Sequence, residues 1–587
     1  MKYAKRSFDR VAYERSQACW AAVEAMHRQP ENWEQLLRLV GRHFERRADF
    51  HKQTVRGTFN ILYCLRVRDH GAQHRHSFYK DVILRMPCLG VVHFPDEKIL
   101  AEATTMQLVR AHCPDIPIPQ VYLTGLSDEN PTGLGPFILM DHVEHIHTLS
   151  VAICDVEKLG EPDDPRDQSV CLDTNVPDEV LTVAWDQVAA HLLQLYTNME
   201  FPCIGCVLPS NLNRSASSSR NSQDLPLPLR FGRPITTNMN TLVDLAGVPA
   251  AVLPPPDATY QTSDDWYVAL ADMHMAHLVF QHNDLVVSRD DCRNKYVARQ
   301  VFRRLATEGK LSTFGFADDT WSAQAQTARR NRGPTHQQPR PLARPPYKYG
   351  PFHLWCDGLH AGNFLADRQL RINGVIDWEF AYAGPTQFSL DPPWWLLLEP
   401  PESWPSDIWE WSSLYEDRLR GWLRSMERAE RNAEAAAAAA TLRSGGGGEI
   451  DDARAVIIMA ERMGSRRGLN DSDHHGEPPI RLSRYMRESW ETGRFWLNYA
   501  ARNSWAFDYI YWHFLDEKFF GKRPIDGDGD VEDHWWRSRI ELLGRDHFDV
   551  MNHLADVKMD EYNEGNINNE WGAQEARRHL AQFMAPV

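Results

Sequence analysis

An α+β chain, small and β-rich at the N-terminal side and larger and helical beyond, is predicted by three observations. Four extended apolar segments and one helical stretch stand between residues 58 and 143. From 143 onward apolar residues recur mainly at helical spacing. A stretch at 352–385 breaks that pattern with strand-like segments carrying Asn and Asp side chains at their ends.

The elements follow in order. Residues 1–49 read as a helical cap, with Trp20, Val23, Met26 and then Leu36, Leu37, Val40 at helical spacing. "TFNILYCLRV" (58–67) and "FYKDVILRMP" (78–87) flank a polar turn and predict a hairpin ended by Pro87. "DEKILAEATTMQLVRAHC" places Ile99, Ala103, Met106 and Val109 on one helix face, and "DIPIPQVYLTG" and "GPFILMDHV" are extended. Residues 50–142 thus form a small sheet with one helix, and 143–587 the helical part. Within it, "EVLTVAWDQVAAHLLQLYTNM", "DWYVALADMHMAHLVFQHND" and "DDCRNKYVARQVFRRLATEG" each carry an apolar stripe, and the aromatic run 481–520 predicts a buried pair of C-terminal helices. Three stretches, near 210–223, 325–346 and 442–452, are Ser-, Arg/Pro- or Gly-rich and are expected to be mobile insertions.

Composition narrows the function classes. With 587 residues, 43% hydrophobic and 25% charged, the chain can bury a large core and is not wholly disordered. A net charge of −16 disfavours a nucleic-acid or anionic-membrane partner, since phosphates need clustered Lys and Arg. A small cationic or neutral substrate fits better. No apolar run follows the basic start and no span of eighteen apolar residues occurs, so neither a secretory signal nor a transmembrane helix is expected. Ten scattered cysteines suit a reducing compartment, and the expected location is the cytoplasm. Oligomeric state is not legible.

Asn363 and Asp377 stand fourteen residues apart, one in a polar loop after "FHLW", the other at the end of "INGVID". A loop and a strand end facing one cleft is where two oxygen ligands for Mg²⁺ belong. Other clusters carry less. Cys203 and Cys206 have no second pair at zinc-ligand spacing and read as buried thiols. "DGDGDVEDHWWR" (526–537) opens like a calcium loop but has Val531 and Arg537 where Gly and Glu belong. "DSDHHGE" (471–477) reads as a solvated loop. No G-x-x-x-x-G-K-[ST] motif is present.

"CDGLHAGNFLAD" (356–367) and "INGVIDWEFAYAGP" (372–385) together resemble the H-G-D-L-H-x-G-N…G-V-I-D-W-E signature of the aminoglycoside phosphotransferase-like enzymes, relatives of protein kinases, and the chain looks like a fungal branch of that group. The likeness extends through "VILRMP", "AEATTMQLVR", "IPIPQVY", "FILMDHV" and "ALADMHMAHLVF", most of residues 55–400. It implies a bilobal, protein-kinase-like fold and an ATP- and Mg²⁺-dependent transfer of phosphate to a small-molecule hydroxyl. It places Asn363 and Asp377 on the metal, Glu379 at a following acidic position, and Arg85 on the α/β-phosphates with Glu102 as its partner. Leu139, Met140 and Asp141 fall at the adenine hinge, and Gly57, Thr58 and Phe59 at the phosphate-covering turn. A protein kinase proper is disfavoured, because no A-P-E segment follows Asp377.

One position departs from the signature. The catalytic base of such loops stands five residues before the metal-binding Asn, and here that residue is Gly358. Asp357 is the candidate replacement, provided that a positive φ at Gly358 swings it toward the cleft. The competing expectation is a pseudoenzyme that binds nucleotide or a partner without turnover.

Overall fold

The computed structural model describes residues 7–69, 79–155, 170–210, 228–331, 340–404, 407–443, 481–523 and 532–585. Helix α1 (Arg10–His27) begins where the Asp9 carboxylate accepts the Ala12 N–H at 3.0 Å. Helix α2 (Pro30–Phe44) ends where Glu45 turns left-handed, at φ 54°. Strand β1 (Arg47–Phe50) follows at once and pairs with β3, so the expected cap over 1–49 ends inside the sheet. Four residues are too few to show a period of two, which is why the sequence hid this strand.

The sheet comprises β1, β2 (Val55–Arg56), β3 (Asn60–Arg68), β4 (Tyr79–Pro87), β5 (Val121–Gly125) and β6 (Phe137–Asp141), in the order β1-β3-β4-β6-β5 with β2 added to β3. All neighbours are antiparallel. β3 and β4 run in continuous register from Asn60↔Pro87 to Arg68↔Tyr79; most of the polar turn between them lies outside the described residues. Alternation puts Ile61, Tyr63, Leu65 and Val67 on one face, where they pack with Trp20, Val23, Leu36 and Val40 of α1 and α2. Helix α3 (Pro95–His112) brings Ile99, Met106 and Val109 into the larger core with Ile138 and Met140. The sheet is therefore covered by helices on both faces.

Beyond it come β7 (His147–Thr148), α4 (Leu149–Ile153), α5 (Asp178–Asn198), β8 (Glu200–Phe201), β9 (Cys206–Pro209), β10 (Leu229–Gly232), α6 (Thr237–Ala246), α7 (Ser263–Phe280), α8 (Arg289–Thr307) and α9 (Ala323–Arg330). Then follow β11 (Phe352–Cys356), β12 (Phe364–Ala366), β13 (Ile372–Val375), β14 (Ala381–Gly384), α10 (Thr386–Ser389) and α11 (Ile408–Arg443). The last are α12 (Leu482–Thr492), α13 (Arg494–Arg502), α14 (Phe507–Ile510), α15 (Asp516–Phe520), α16 (Arg545–Glu564) and α17 (Ala573–Phe583). Two small antiparallel sheets, β14-β11-β8 and β13-β12-β7, hold the 352–385 stretch, and β7 ties the chain leaving β6 directly to β12.

Two expectations need correction here. The C-terminal aromatic run is not a simple helix pair: Gly493, at φ 86°, separates α12 from α13, and a π-turn over Tyr511–Leu515 joins α14 to α15. The stretch 325–346 has structured ends: α9 occupies 323–330, and Ala343 is buried with its N–H on Glu488. The backbone there offers its own polar groups to α12, which side-chain composition does not reveal. Residues 211–223, 332–339, 444–452, 471–477 and 526–531 lie outside the described residues, while 532–538 form a 3₁₀ turn. Among the described residues no helix is long and apolar enough to cross a membrane.

Candidate active site

Arg85 sits near the end of β4, the sheet's second inner strand, and its side chain is 4% exposed. Three carboxylates converge on it: Glu102 of α3 at 3.3 Å, Asp377 at 2.5 Å and Glu379 at 2.9 Å. Burial alone would pull the guanidinium down, but the three acids outweigh it and hold Arg85 well above its ordinary value. A second cation joins them. Lys98, one turn before Glu102 on α3, places Nζ 2.5 Å from Glu379 and 3.6 Å from Glu102, and donates to Asn60 Oδ1 at 3.1 Å. Burial pushes Glu379 up, yet Lys98 and Arg85 overcome it and hold the carboxyl down to about 2. Asp377 goes the other way. Burial, reinforced by Glu379 and Glu102, outweighs Arg85 and raises it to about 7.

Asp377 itself has φ 62°, and Phe380 has φ 59°. A left-handed backbone at a non-glycine residue costs on the order of 1–3 kcal/mol and persists where surrounding structure enforces it, often at functional sites. The enforcing contacts are visible: Ile376 donates to the Asn363 carbonyl at 3.0 Å, and Phe380 meets the Phe59 ring edge-on at 5.3 Å. Asn363 is turned by its own amide, whose Nδ2 donates to the Gly358 carbonyl at 2.5 Å. That bond uses the amide nitrogen, and the acceptor of this buried side chain is Oδ1. Arg85 engages Oδ1 of Asp377, so the second carboxylate oxygen remains on a side chain that is 27% exposed. Among the described residues no group of three or more His, Cys, Asp or Glu side chains could hold a metal alone. Two oxygen donors fit Mg²⁺, whose remaining shell comes from phosphate and water.

The base position is filled by backbone. A Cβ on residue 358 would lie 2.9 Å from the Asp377 carbonyl oxygen and 3.5 Å from that of Glu379. Gly358 is not among the glycines with positive φ, so the swing expected for Asp357 does not occur. Instead the Asp357 carboxylate faces away: Oδ1 accepts from the Trp355 indole at 2.7 Å, and Oδ2 accepts the Thr237 N–H, at the start of α6, at 3.0 Å. Burial raises its pKa, with the Trp355 bond and the nearby Arg502 pulling the other way. Asp357 is thus an anchor for the α6 N-terminus, where a negative charge is favoured. His360 does not replace it. Its Nδ1 accepts the Gly362 N–H at 3.1 Å, which assigns the ring proton to Nε2, and burial lowers its pKa to about 4.

The remaining predicted residues are placed as follows. Gly57, Thr58 and Phe59 form the tight turn between β2 and β3, with Gly57 N–H on the Asn60 carbonyl at 2.8 Å; Thr58 is exposed and Phe59 caps Phe380. Leu139 and Met140 are interior residues of β6, buried and paired on both sides with β4 and β5. Their backbones are engaged in the sheet, and just past its end the His142 N–H still donates to the Asp81 carbonyl at 3.3 Å. Asp141 binds Tyr122, Lys80 and the Gln120 N–H. Cys203 and Cys206 are buried free thiols, each pushed up to about 12 by burial. Sequence reading missed Lys98, Asn60 and Thr237.

No family model matches the chain, and no curated protein matches it. Among solved structures, a "Macrolide 2'-phosphotransferase type I" matches with 13% identity over 88% of this chain and 98% of that one, at a TM-score of 0.33. A Ralstonia eutropha protein provisionally assigned as an aminoglycoside phosphotransferase matches with 10% identity over 78% of this chain and 98% of that one, at a TM-score of 0.29. Superposition at these scores is too loose for either to bear on fold or chemistry. The functional reading rests on the chain's own site.

Proposed function

We propose that the protein is a bilobal, kinase-like phosphotransferase that binds Mg·ATP and transfers phosphate to a small-molecule hydroxyl slowly, without a carboxylate base. The observation that carries this is the meeting of Arg85 with Glu102 behind it and Asp377 before it, one hydrogen bond from Asn363. A buried, acid-supported guanidinium is a phosphate anchor with a planar fork. When bound, Mg²⁺ would neutralise developing charge on the phosphates; Asn363 Oδ1 and Asp377 would hold it. Arg85 would exchange part of its contact with Asp377 for phosphate oxygens, while Glu102 keeps it in place. Phosphoryl transfer depends mostly on positioning and charge, so loss of a base, typically about 10²–10⁴ in rate, leaves a slow reaction.

The occupied Asp357 and filled position 358 favour a second reading, a nucleotide-binding module with no turnover. A thermal-shift titration with Mg·ATP, followed by ATP consumption over a panel of hydroxyl-bearing metabolites, separates them. Stabilisation with turnover on at least one metabolite is expected. Stabilisation without turnover selects the module, and no stabilisation at millimolar Mg·ATP overturns both.

A further inference from the structure

Lys98 is among the most enclosed cations of the chain, with a side chain that is 0% exposed, yet the reading above gives it no role. Its ammonium sits among oxygens from three separate elements: Glu379 Oε2 after β13 at 2.5 Å, Asn60 Oδ1 at the start of β3 at 3.1 Å, and Glu102 Oε2 on α3 at 3.6 Å. The Phe380 ring lies 5.7 Å from Nζ, with Phe59 stacked edge-on against that ring. An all-oxygen surround is what a hard metal ion takes, and here a side-chain cation occupies it.

We propose that the Lys98 ammonium serves as a built-in cation in place of a second divalent ion, so that the site takes one metal ion per nucleotide. This deepens the phosphotransferase reading and rests on it. Asn363 and Asp377 hold the single ion, and Glu379 anchors Lys98 instead of ligating metal. Glu379 Oε2 already receives three donors: Lys98 at 2.5 Å, Arg85 at 2.9 Å and Asn60 Nδ2 at 2.9 Å. Charge points the same way. The oxygens around Nζ are already engaged by the Lys98 ammonium, and a divalent ion placed among them would meet that buried cation, which cannot retreat to water, in a low-dielectric pocket. Lys98 is therefore a positioning residue, acting through Glu379 on the turn that carries Asp377.

The test counts Mn²⁺ bound to the full-length chain with a saturating non-hydrolysable ATP analogue, by the loss of the free-ion electron paramagnetic resonance signal. Wild type is expected to bind one ion. Glu379→Gln, whose amide oxygen can still accept from Lys98, is expected to keep the count at one ion, at an affinity lowered through the turn that carries Asp377. Lys98→Arg should also keep one, whereas Lys98→Met should admit a second. Two ions in the wild type, or loss of the ion in Glu379→Gln, overturns the inference while leaving the phosphotransferase reading intact. No ion in the wild type overturns both. Should Lys98→Met fail to fold, the wild-type and Glu379→Gln counts decide.

Discussion

Two parts of the candidate site, the charged cluster around Arg85 and the stretch around Gly358, differ sharply. In the cluster, five charged side chains, Arg85, Lys98, Glu102, Asp377 and Glu379, interlock within ion-pair distance. At the base position, residue 358 has no side chain, and the one neighbouring carboxylate is turned to α6. On the proposed reading, the difference teaches that phosphate binding and chemistry are separable in this architecture. Buried charges must be mutually satisfied or the fold suffers, so the binding half is tied to stability. A base needs only to be reachable by substrate, and its loss costs the fold nothing.

Removing the centre of the charged cluster is the largest change. Arg85→Met leaves Glu102, Asp377 and Glu379 facing Lys98 alone, and breaking such a buried network costs about 3–5 kcal/mol. Urea denaturation should show that loss, together with abolished Mg·ATP stabilisation. If instead the variant were as stable as wild type, the cluster would not be the tie between binding and fold described above.

Acidification should separate fold from binding in the opposite sense. Burial raises Asp377 to about 7, above the ordinary carboxylate value near 4, so the fold favours its protonated form. Its own contribution to stability is therefore fully present at low pH and declines as pH rises from about 4 through about 7. Metal needs the ionised carboxylate. Mg·ATP affinity should fall as pH drops from 7 to 5, by up to about tenfold per unit, which isothermal titration would read directly. Affinity independent of pH over that range would remove Asp377 from the metal.

Much of the sheet was legible because β3 and β4 are rich in β-branched, aromatic and long apolar residues, flank a polar turn and end at Pro87, and α3 because Ile99, Ala103, Met106 and Val109 share a face. Lys98 was not. Spaced four residues from Glu102, it looks like a surface ion pair, and only the tertiary fold shows that both are buried. Leu139 and Met140 lie within β6, and whether a backbone is engaged depends on what pairs with it on each side. Asp357 was misread for a similar reason. Its partner, Thr237, lies 120 residues away on α6, beyond the reach of any local motif.

Restoring the missing carboxylate tests the base position itself. If the base were simply absent, Gly358→Asp should raise turnover by about 10²–10⁴, the usual worth of a general base. The structure predicts otherwise, since the new Cβ meets the Asp377 carbonyl oxygen at 2.9 Å. Turnover should not rise, and stability should fall by about 1–3 kcal/mol as the backbone of Asp377 is displaced. A rate gain of that size in the ATP-consumption assay would show that the loop opens during catalysis.

Asp357→Asn should have the smallest effect. Asparagine offers one acceptor oxygen, and the wild-type carboxylate serves two donors, Trp355 Nε1 at 2.7 Å and Thr237 N–H at 3.0 Å. One of these bonds is lost, along with the negative charge at the N-terminus of α6, and the side chain is only half-buried. A stability loss of about 0.5–1.5 kcal/mol follows. Turnover should change by less than about tenfold, because a residue anchoring a helix touches neither nucleotide nor acceptor hydroxyl, whereas loss of a true base would cost about 10²–10⁴. Measuring both quantities on one preparation separates the roles: a large kinetic loss with unchanged stability would return Asp357 to the chemistry, and a small kinetic loss with measurable softening keeps it as the anchor of α6.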